Sequence, residues 1–410
     1  MRILLITPSF PPDKGACPRH MQGIVDGLVQ AGHEVVVLTA MPHYPKGKID
    51  KRFVGKWFHQ DFFRGYEVWR CAFIPSASVR LLPRLLSVLT LLIAMLLHRK
   101  KVKLFAPEWV IVQSPPLPLA LLGWWLAKEN AAALLLNISD LWPDALAQMG
   151  ILSPAHVLFQ WAKRVEYFLY EKAHLIMAQS EESVAYIRHH VPEKPILLYR
   201  VGVCPEQYKI KKYLAPPPRR LIYFGLIGLA QGLEEICRNI PFEKWGVELH
   251  IYGDGPLRKR LQAALQRTPN ELFCHLHEAV DYTEIPDLLA NFDGALIPQQ
   301  QRLYGTVPSK LYEAMAAGLP IIFSGEGEAA ALIKQAACGW TAPSGDWHRL
   351  EECIAAFAAA SNEQLATLGS AARQFAAKYF CLEKQNNMLI EALMPNNCHL
   401  LTDAIRHIGR

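Results

Sequence analysis

Lys310 and Glu313 stand three residues apart in the run T-V-P-S-K-L-Y-E-A-M-A-A-G-L-P-I-I-F-S, Thr306 to Ser324. Serine after proline, a run of strong helix formers, a glycine stop and a β-branched apolar run predict a loop, a short helix from Ser309 to Gly318 and a buried strand. The spacing puts both charged side chains on one helix face. They lie near the N-terminus, where unpaired N–H groups and the macrodipole favour an anion. Holding a phosphorylated ligand is the chemistry this suits. A surface helix with an i,i+3 ion pair reads the same way.

Other candidates lie in loops after predicted strands. Gly225 to Gly232 (G-L-I-G-L-A-Q-G) and Gly253 to Gly255 (G-D-G) can bring backbone N–H groups close to a ligand. Neither matches G-x-G-x-x-G, and the chain has no P-loop lysine motif. In I-S-D-L-W-P-D, Asp140, Trp142 and Asp144 fall at a strand end, where a carboxylate can accept a sugar hydroxyl and an indole can stack on a sugar face. Helix capping before a proline turn is the alternative. Gly15 lies in the first loop with Arg19 just inside the next helix, and simple turn chemistry and surface solvation compete with ligand contact there.

These residues need a sheet to carry them. Arg2–Thr7 predicts a strand, 18–30 a helix and A-G-H-E-V-V-V-L-T a second buried strand, a βαβ unit with a parallel sheet. The rhythm continues with strands at 109–113, 132–137, 175–179 and 196–200, and a strand-like G-Y-E-V-W-R-C follows a connection in 41–80. K-K-Y-L-A-P-P-P-R-R, Lys211 to Arg220, interrupts it, and it restarts at Leu221. The expected organisation is two doubly wound α/β domains facing across a cleft, 1–200 and 221–380, with a linker at 201–220 and a helical tail at 381–410.

At 410 residues, 51% hydrophobic and 20% charged, the chain is long enough for two cores and is not disordered. A net charge of +6 argues against a dedicated nucleic-acid binder. Nine scattered cysteines suggest free thiols in a reducing cytosol, without a zinc ribbon or disulfide framework. The short apolar N-terminus does not resemble a signal peptide. In 80–103, Arg80 and Arg84 precede the apolar run Leu85 to Leu97, and His98, Arg99, Lys100, Lys101 and Lys103 follow it. The run is shorter than the roughly 20 residues a bilayer span needs. It suits an interfacial helix with headgroup-facing cations, or else a core helix with a solvated basic end.

The ordered set F-P-P-x-x-G-A, A-G-H-E-V-x-V-L-T, D-L-W-P-D, G-L-I-G-L-A-Q-G, G-D-G-P and V-P-S-K-L-Y-E-A-M-A-A-G-L-P resembles glycosyltransferase family 4 over roughly residues 1–390. Within that family it is most similar to the bacterial WbuB-like amino-sugar transferases. The resemblance implies a GT-B fold of two Rossmann-like domains, retaining transfer, and a nucleotide-diphospho-sugar donor, usually uridine-linked, with no metal and no other cofactor. It implies that Lys310 and the helix start, with Pro308, Ser309 and Leu311, hold the diphosphate, and that Glu313 holds the ribose. Gly225, Gly228, Gln231, Gly253, Asp254 and Gly255 would line the donor, Gly15 would leave room for donor and acceptor, and Asp140 would touch the reacting sugars. The same resemblance, together with the Leu85 to Leu97 segment, implies a lipid-linked saccharide acceptor, peripheral membrane contact and a cytoplasmic location at the inner membrane face.

Three departures stand out. Gly305 occupies the place of an expected glutamate, Leu226 and Gln231 stand where an Arg and a Lys are common, and Val201-Gly202-Val203-Cys204 replaces Asn-Gly-Val-Asp. They leave two alternatives open: a nucleotide-sugar-binding scaffold with lapsed catalysis, and, on the same fold, a UDP-sugar 2-epimerase.

Overall fold

The computed structural model describes residues 1–44, 47–76, 78, 81–210, 218–266 and 269–394; Arg80, the proline-rich stretch 211–217 and the tail 395–410 lie outside them. The chain forms two compact units, Met1–Arg200 together with the segment from Glu383, and Val201–Leu382.

The first unit is built on β1 (Arg2–Thr7), β2 (Glu34–Ala40), β3 (Phe58–Phe63), β4 (Tyr66–Cys71), β5 (Trp109–Ser114), β6 (Ala133–Ile138), β7 (Leu175–Ala178) and β8 (Ile196–Leu198). Their order is β3-β4-β2-β1-β5-β6-β7-β8, parallel except for β3. The central strands are buried on both faces, which is why their sequences are continuous apolar runs with no alternation. The single strand expected in 41–80 is a hairpin, turned by Arg64 (φ 49°) and Gly65 (φ 93°). Two left-handed residues match the right-handed twist of the flanking strands.

The second unit contains β9 (Arg219–Leu226), β10 (Val247–Asp254), β11 (Cys274–His277), β12 (Gly294–Pro298), β13 (Ile321–Ser324) and β14 (Gly339–Ala342). The order is β11-β10-β9-β12-β13-β14, all parallel. Strand order reverses between β9 and β12 here and between β1 and β5 in the first unit. At such switch points crevices open beyond the carboxyl ends of the strands.

The boundaries differ from the expected ones. Val203 and Tyr208, assigned to the linker, are buried in the second unit's core, and Val203 forms a parallel bridge with Cys381. Arg373 fixes this entry, donating to the carbonyls of Tyr208 (3.0 Å) and Ala316 (2.8 Å). Beyond it, Leu382–Leu393 is a helix whose Leu389, Ala392 and Leu393 pack into the first unit's core beside Ile24 and Leu28. Asn386 accepts from the Tyr199 hydroxyl (2.7 Å) and donates to the Gly23 carbonyl (3.1 Å). A β-carbon on Gly27 would meet the Asn386 amide at 2.1 Å, so glycine is what lets this helix dock.

The basic, apolar segment forms a helix, Leu81–Leu96, then a shorter one, Arg99–Phe105, bent by 50° from it. No single helix among the described residues is long and apolar enough to cross a membrane. Leu91 and Met95 face the core, whereas Leu82, Leu85, Leu86, Leu89, Ile93 and Leu96 are exposed. The expected basic flank divides. Arg99, Lys100 and Lys103 are exposed, but the Lys101 ammonium lies 4.1 Å from the Trp69 ring centroid and 4.9 Å from that of Phe58.

Replacing the fully buried Leu389 by alanine should destabilise the protein by about 2–5 kcal/mol. Urea unfolding measures this; a change within a few tenths of a kcal/mol would mean that the C-terminal helix is an appendage.

Candidate active site

In the second unit the site is assembled from the ends of β9, β10 and β12. The predicted helix runs Ser309–Ala316 and ends in a left-handed Gly318 (φ 70°). Gly318 N–H donates to the Met315 carbonyl (3.0 Å) and Leu319 N–H to that of Ala314 (3.1 Å), the paired bonds of a Schellman stop. Pro308 occupies the N-cap and has no side-chain acceptor for the first-turn N–H groups, while Leu311, Tyr312 and Glu313 are buried. Tyr312 packs edge-on against Phe380, 4.6 Å between centroids, which anchors the helix.

Lys310 reaches across to β9. A β-carbon on Gly225 (φ 121°) would stand 2.6 Å from Lys310 Cε and 3.1 Å from Nζ, and Nζ lies 5.1 Å from the Tyr223 ring centroid. Gly253 pairs with Gly225 across the ladder, and a β-carbon there would meet the Gly225 carbonyl oxygen at 1.9 Å. Gly255 has the same closeness to the Ile227 carbonyl, at 2.4 Å. Asp254 accepts from Gly255 N–H (2.8 Å), and its carbonyl accepts from Ile227 N–H (2.9 Å). Three glycines from two loops thus come together at these strand ends, with Lys310 lying against the first of them.

Gln231 has a structural part: its Oε1 accepts from Gly228 N–H at 3.1 Å and closes the loop on itself. Gln300 ties this loop to the one after β12, donating from its N–H to the Ala230 carbonyl (2.7 Å) and accepting on its own carbonyl from Ser344 Oγ. In that second loop Gly305 is buried with φ 82°, a conformation that disfavours a glutamate.

Asp140 and Gly15 belong to the first unit, Lys310 and its helix to the second. Here the ends of β1, β2, β5, β6 and β7 carry the polar groups. Thr7 Oγ1 donates to Gln113 Oε1 (2.6 Å) across the switch point, and Gln113 contacts Cys17 Sγ at 3.0 Å. The amides of Gln113 (3.4 Å) and Gln179 (3.3 Å) both approach Ser139 Oγ, one residue before Asp140. Burial raises the Cys17 pKa to about 11, with Asp13 and Asp140 adding to the rise, so this thiol is protonated. Asp13 staples the first loop to 43–44, accepting from His43 N–H (2.7 Å), Tyr44 N–H (2.8 Å) and Ser9 Oγ (2.6 Å). Gly15 (φ 135°) lies against the Tyr44 ring, and Arg19 Nε donates back to its carbonyl at 3.0 Å. Sequence reading missed Thr7, Asp13, Gln113, Ser139 and Gln179; their one signal was that each lies at or just beyond the end of a strand.

Behind D-L-W-P-D is a buried network. Lys163 Nζ contacts Asp144 (2.7 Å), Glu166 (2.6 Å) and the Tyr186 hydroxyl, and Tyr170 donates to Glu166 at 2.7 Å. Asp144 is therefore a structural anchor, and Trp142 packs half-buried on the core. Burial opposes the Lys163 charge, but Glu166 and Asp144 outweigh it and raise its pKa. Burial raises Glu166 to about 7 against the pull of Lys163. Both directions hold together, because one ammonium serves two carboxylates and Glu166 is the more deeply buried of them.

The fold defines a GT-B architecture, two α/β units on largely parallel sheets, with glycines and Lys310 gathered at strand ends in the second. Residues 15–202 match the family described as glycosyl transferase 4-like domain, and residues 206–375 match glycosyl transferases group 1. The chain is a glycosyltransferase of the GT-B fold. It is 24% identical over 346 residues to the "Putative colanic acid biosynthesis glycosyl transferase WcaI" of Escherichia coli K12, covering 80% of this chain and 84% of that one. It is 30% identical over 162 residues to the amylovoran biosynthesis glycosyltransferase AmsK of Erwinia amylovora, covering 38% and 40%. Among solved structures it is similar to Anabaena Alr3699/HepE in complex with UDP and glucose, with TM-score 0.67 and 18% identity, covering 96% of this chain and 99% of that one.

From the ordinary carboxyl value of 4.5 up to about 7, the folded chain holds a proton on Glu166 that the unfolded chain has released. Stability contributed there therefore falls as pH rises through that window. Glu166→Gln should remove this slope, which is at most about 1.4 kcal/mol per pH unit for one proton. Urea midpoints of both proteins from pH 4.5 to 7.5 check it; parallel curves would mean that Glu166 is ionised throughout.

Proposed function

We propose that this glycosyltransferase moves an N-acetylated hexose from a UDP-linked nucleotide-diphospho-sugar to a lipid-linked or polysaccharide acceptor in bacterial surface glycan synthesis. In this reading transfer retains the anomeric configuration, no metal or other cofactor takes part, and the WbuB-like branch is the family's nearest subgroup. The observation that carries it is Lys310, whose ammonium lies over Gly225 beside an uncapped helix start. Relatives named for colanic acid and amylovoran synthesis, and a similar fold solved with UDP and glucose, support the substrate classes.

Chemically, the bond between the anomeric carbon and the β-phosphate oxygen breaks as charge gathers on the diphosphate. Lys310 and the N–H groups of the helix start stabilise that charge in place, with no reorganisation during the reaction. The acceptor oxygen bonds to the same face of the anomeric carbon, and its proton passes to the departing phosphate oxygen. Glu313 holds the ribose hydroxyls, Gly253–Gly255 line the base, and Asp140 and Gly15 serve the reacting sugars. The left-handed Gly305 favours the lapsed scaffold as the competing reading.

A thermal-shift screen of nucleotide sugars should show stabilisation by a UDP-sugar, since a ligand that binds only the folded state raises stability. Lys310→Ala should then lower turnover about 10²–10³-fold with polyprenyl-linked acceptors. Donor binding with no turnover would support the scaffold, a 2-epimer formed without acceptor would support the epimerase, and a fully active Lys310→Ala would remove the lysine from the mechanism.

The exposed apolar face of Leu81–Leu96 supports placing the enzyme at the inner face of the membrane. Leu85, Leu89 and Ile93 would enter the acyl region while Arg99, Lys100 and Lys103 meet anionic headgroups. The protein should sediment with phosphatidylserine-containing liposomes at low salt. Leu89→Glu with Ile93→Glu should abolish this, whereas equal sedimentation of the double variant would discard the membrane face.

A further inference from the structure

The outer edge of the second unit's sheet carries a polar cluster that the donor site does not use. Along β10, Leu249 and Ile251 enter the core, so Glu248, His250 and Tyr252 line the opposite face. Edge strand β11 runs alongside with His250 opposite His275 and Tyr252 opposite His277. Three imidazoles and one carboxylate thus share one half-exposed patch. One ligand atom from each of Glu248, His250 and His275 lies within 4.8 Å of the other two.

We propose that Glu248, His250 and His275 bind a divalent transition-metal ion, Zn²⁺ or an ion of similar size and softness. Two imidazoles and a carboxylate are a donor set these ions favour, and three protein ligands leave a fourth position for water. Tetrahedral bonds of about 2.0–2.1 Å put ligand atoms roughly 3.4 Å apart. Small rotations of these half-exposed side chains close the remaining gap.

His277 supplies the orienting contact. Its Nε2 lies 3.0 Å from His250 Nδ1, while His250 Nε2 faces Glu248 Oε2 at 3.3 Å. When His250 Nδ1 donates to His277, the Nε2 lone pair faces a carboxylate, and a cation between them turns repulsion into ligation. Donation by the second ring nitrogen is how metal-bound histidines are commonly fixed. The ion would clamp the four-residue strand β11 to β10, a structural role separate from the chemistry at Lys310.

The test uses full-length protein without a histidine tag, stripped with EDTA and titrated with Zn²⁺ by calorimetry and with Co²⁺ by visible absorption. One equivalent should bind saturably and raise the melting temperature. His250→Asn or His275→Asn should abolish this, and His277→Gln should weaken it about 10- to 100-fold, the usual effect of losing an orienting partner. No saturable binding by the wild type, or binding that survives both ligand substitutions, would overturn the proposal. The wild type's own imidazole ¹⁵N spectrum decides independently of how the variants fold: Zn²⁺ should shift His250 and His275, and unchanged resonances would refute the site.

Discussion

The backbone at Gly225 is enclosed on two sides. Gly253 presents a bare α-carbon to the Gly225 carbonyl, and the aliphatic end of Lys310 occupies the space where Gly225's own β-carbon would project. Any side chain at either position would part β9 from β10 or lift the lysine away. With both absent, the β9–β10 ladder stays closed to its end and the lysine lies flat over it. The ring of Tyr223 faces the Nζ. The ammonium is therefore held by shape and a π face, a fixed placement of the kind that electrostatic stabilisation of a leaving group requires.

The two units place their polar groups by different means. In the second, backbone approach sets the geometry: glycines at the strand ends, and a helix fixed by the buried Tyr312 and a Schellman stop. In the first, side chains set it. Asp13 gathers two backbone N–H groups and a hydroxyl into one staple, and Thr7, Gln113 and Ser139 connect neighbouring strand ends. Lys163 supports the D-L-W-P-D turn from below through Asp144. A carboxylate with its oxygens engaged this way anchors a loop, as Asp13 does after β1 and Asp144 after β6.

Much of this was legible in the sequence because it is local. The glycine stop, the helix formers after Pro308 and the apolar strand runs each encode their element within a few residues, and alternating strands and helices encode a doubly wound sheet. Contacts between distant segments were not legible. Cys274–His277 is too short and too polar to read as a strand until β10 is beside it. Leu382–Leu393 reads as part of a helical tail, and only the bare surface at Gly27 shows where it docks. The basic run after Leu97 reads as one set of cations facing headgroups or solvent, yet Lys101 lies over Trp69, beyond the bend between the two helices.

Gly305 shows how a departure from the family pattern is built into the backbone. Its φ of 82° belongs to a turn in which Thr306 N–H donates to the Leu303 carbonyl at 3.1 Å, directly before the helix that carries Lys310. A glutamate there would strain this turn and shift the helix start. On the proposed reading, the position where a residue for the sugar would stand and the lysine for the diphosphate are thus only five positions apart in the chain. With glycine, the turn relaxes into a conformation that L side chains resist. The loop then presents backbone where the family usually presents a carboxylate. On the proposed reaction, selectivity for the sugar shifts to amide groups and to neighbouring loops, while the charge on the leaving group remains with Lys310.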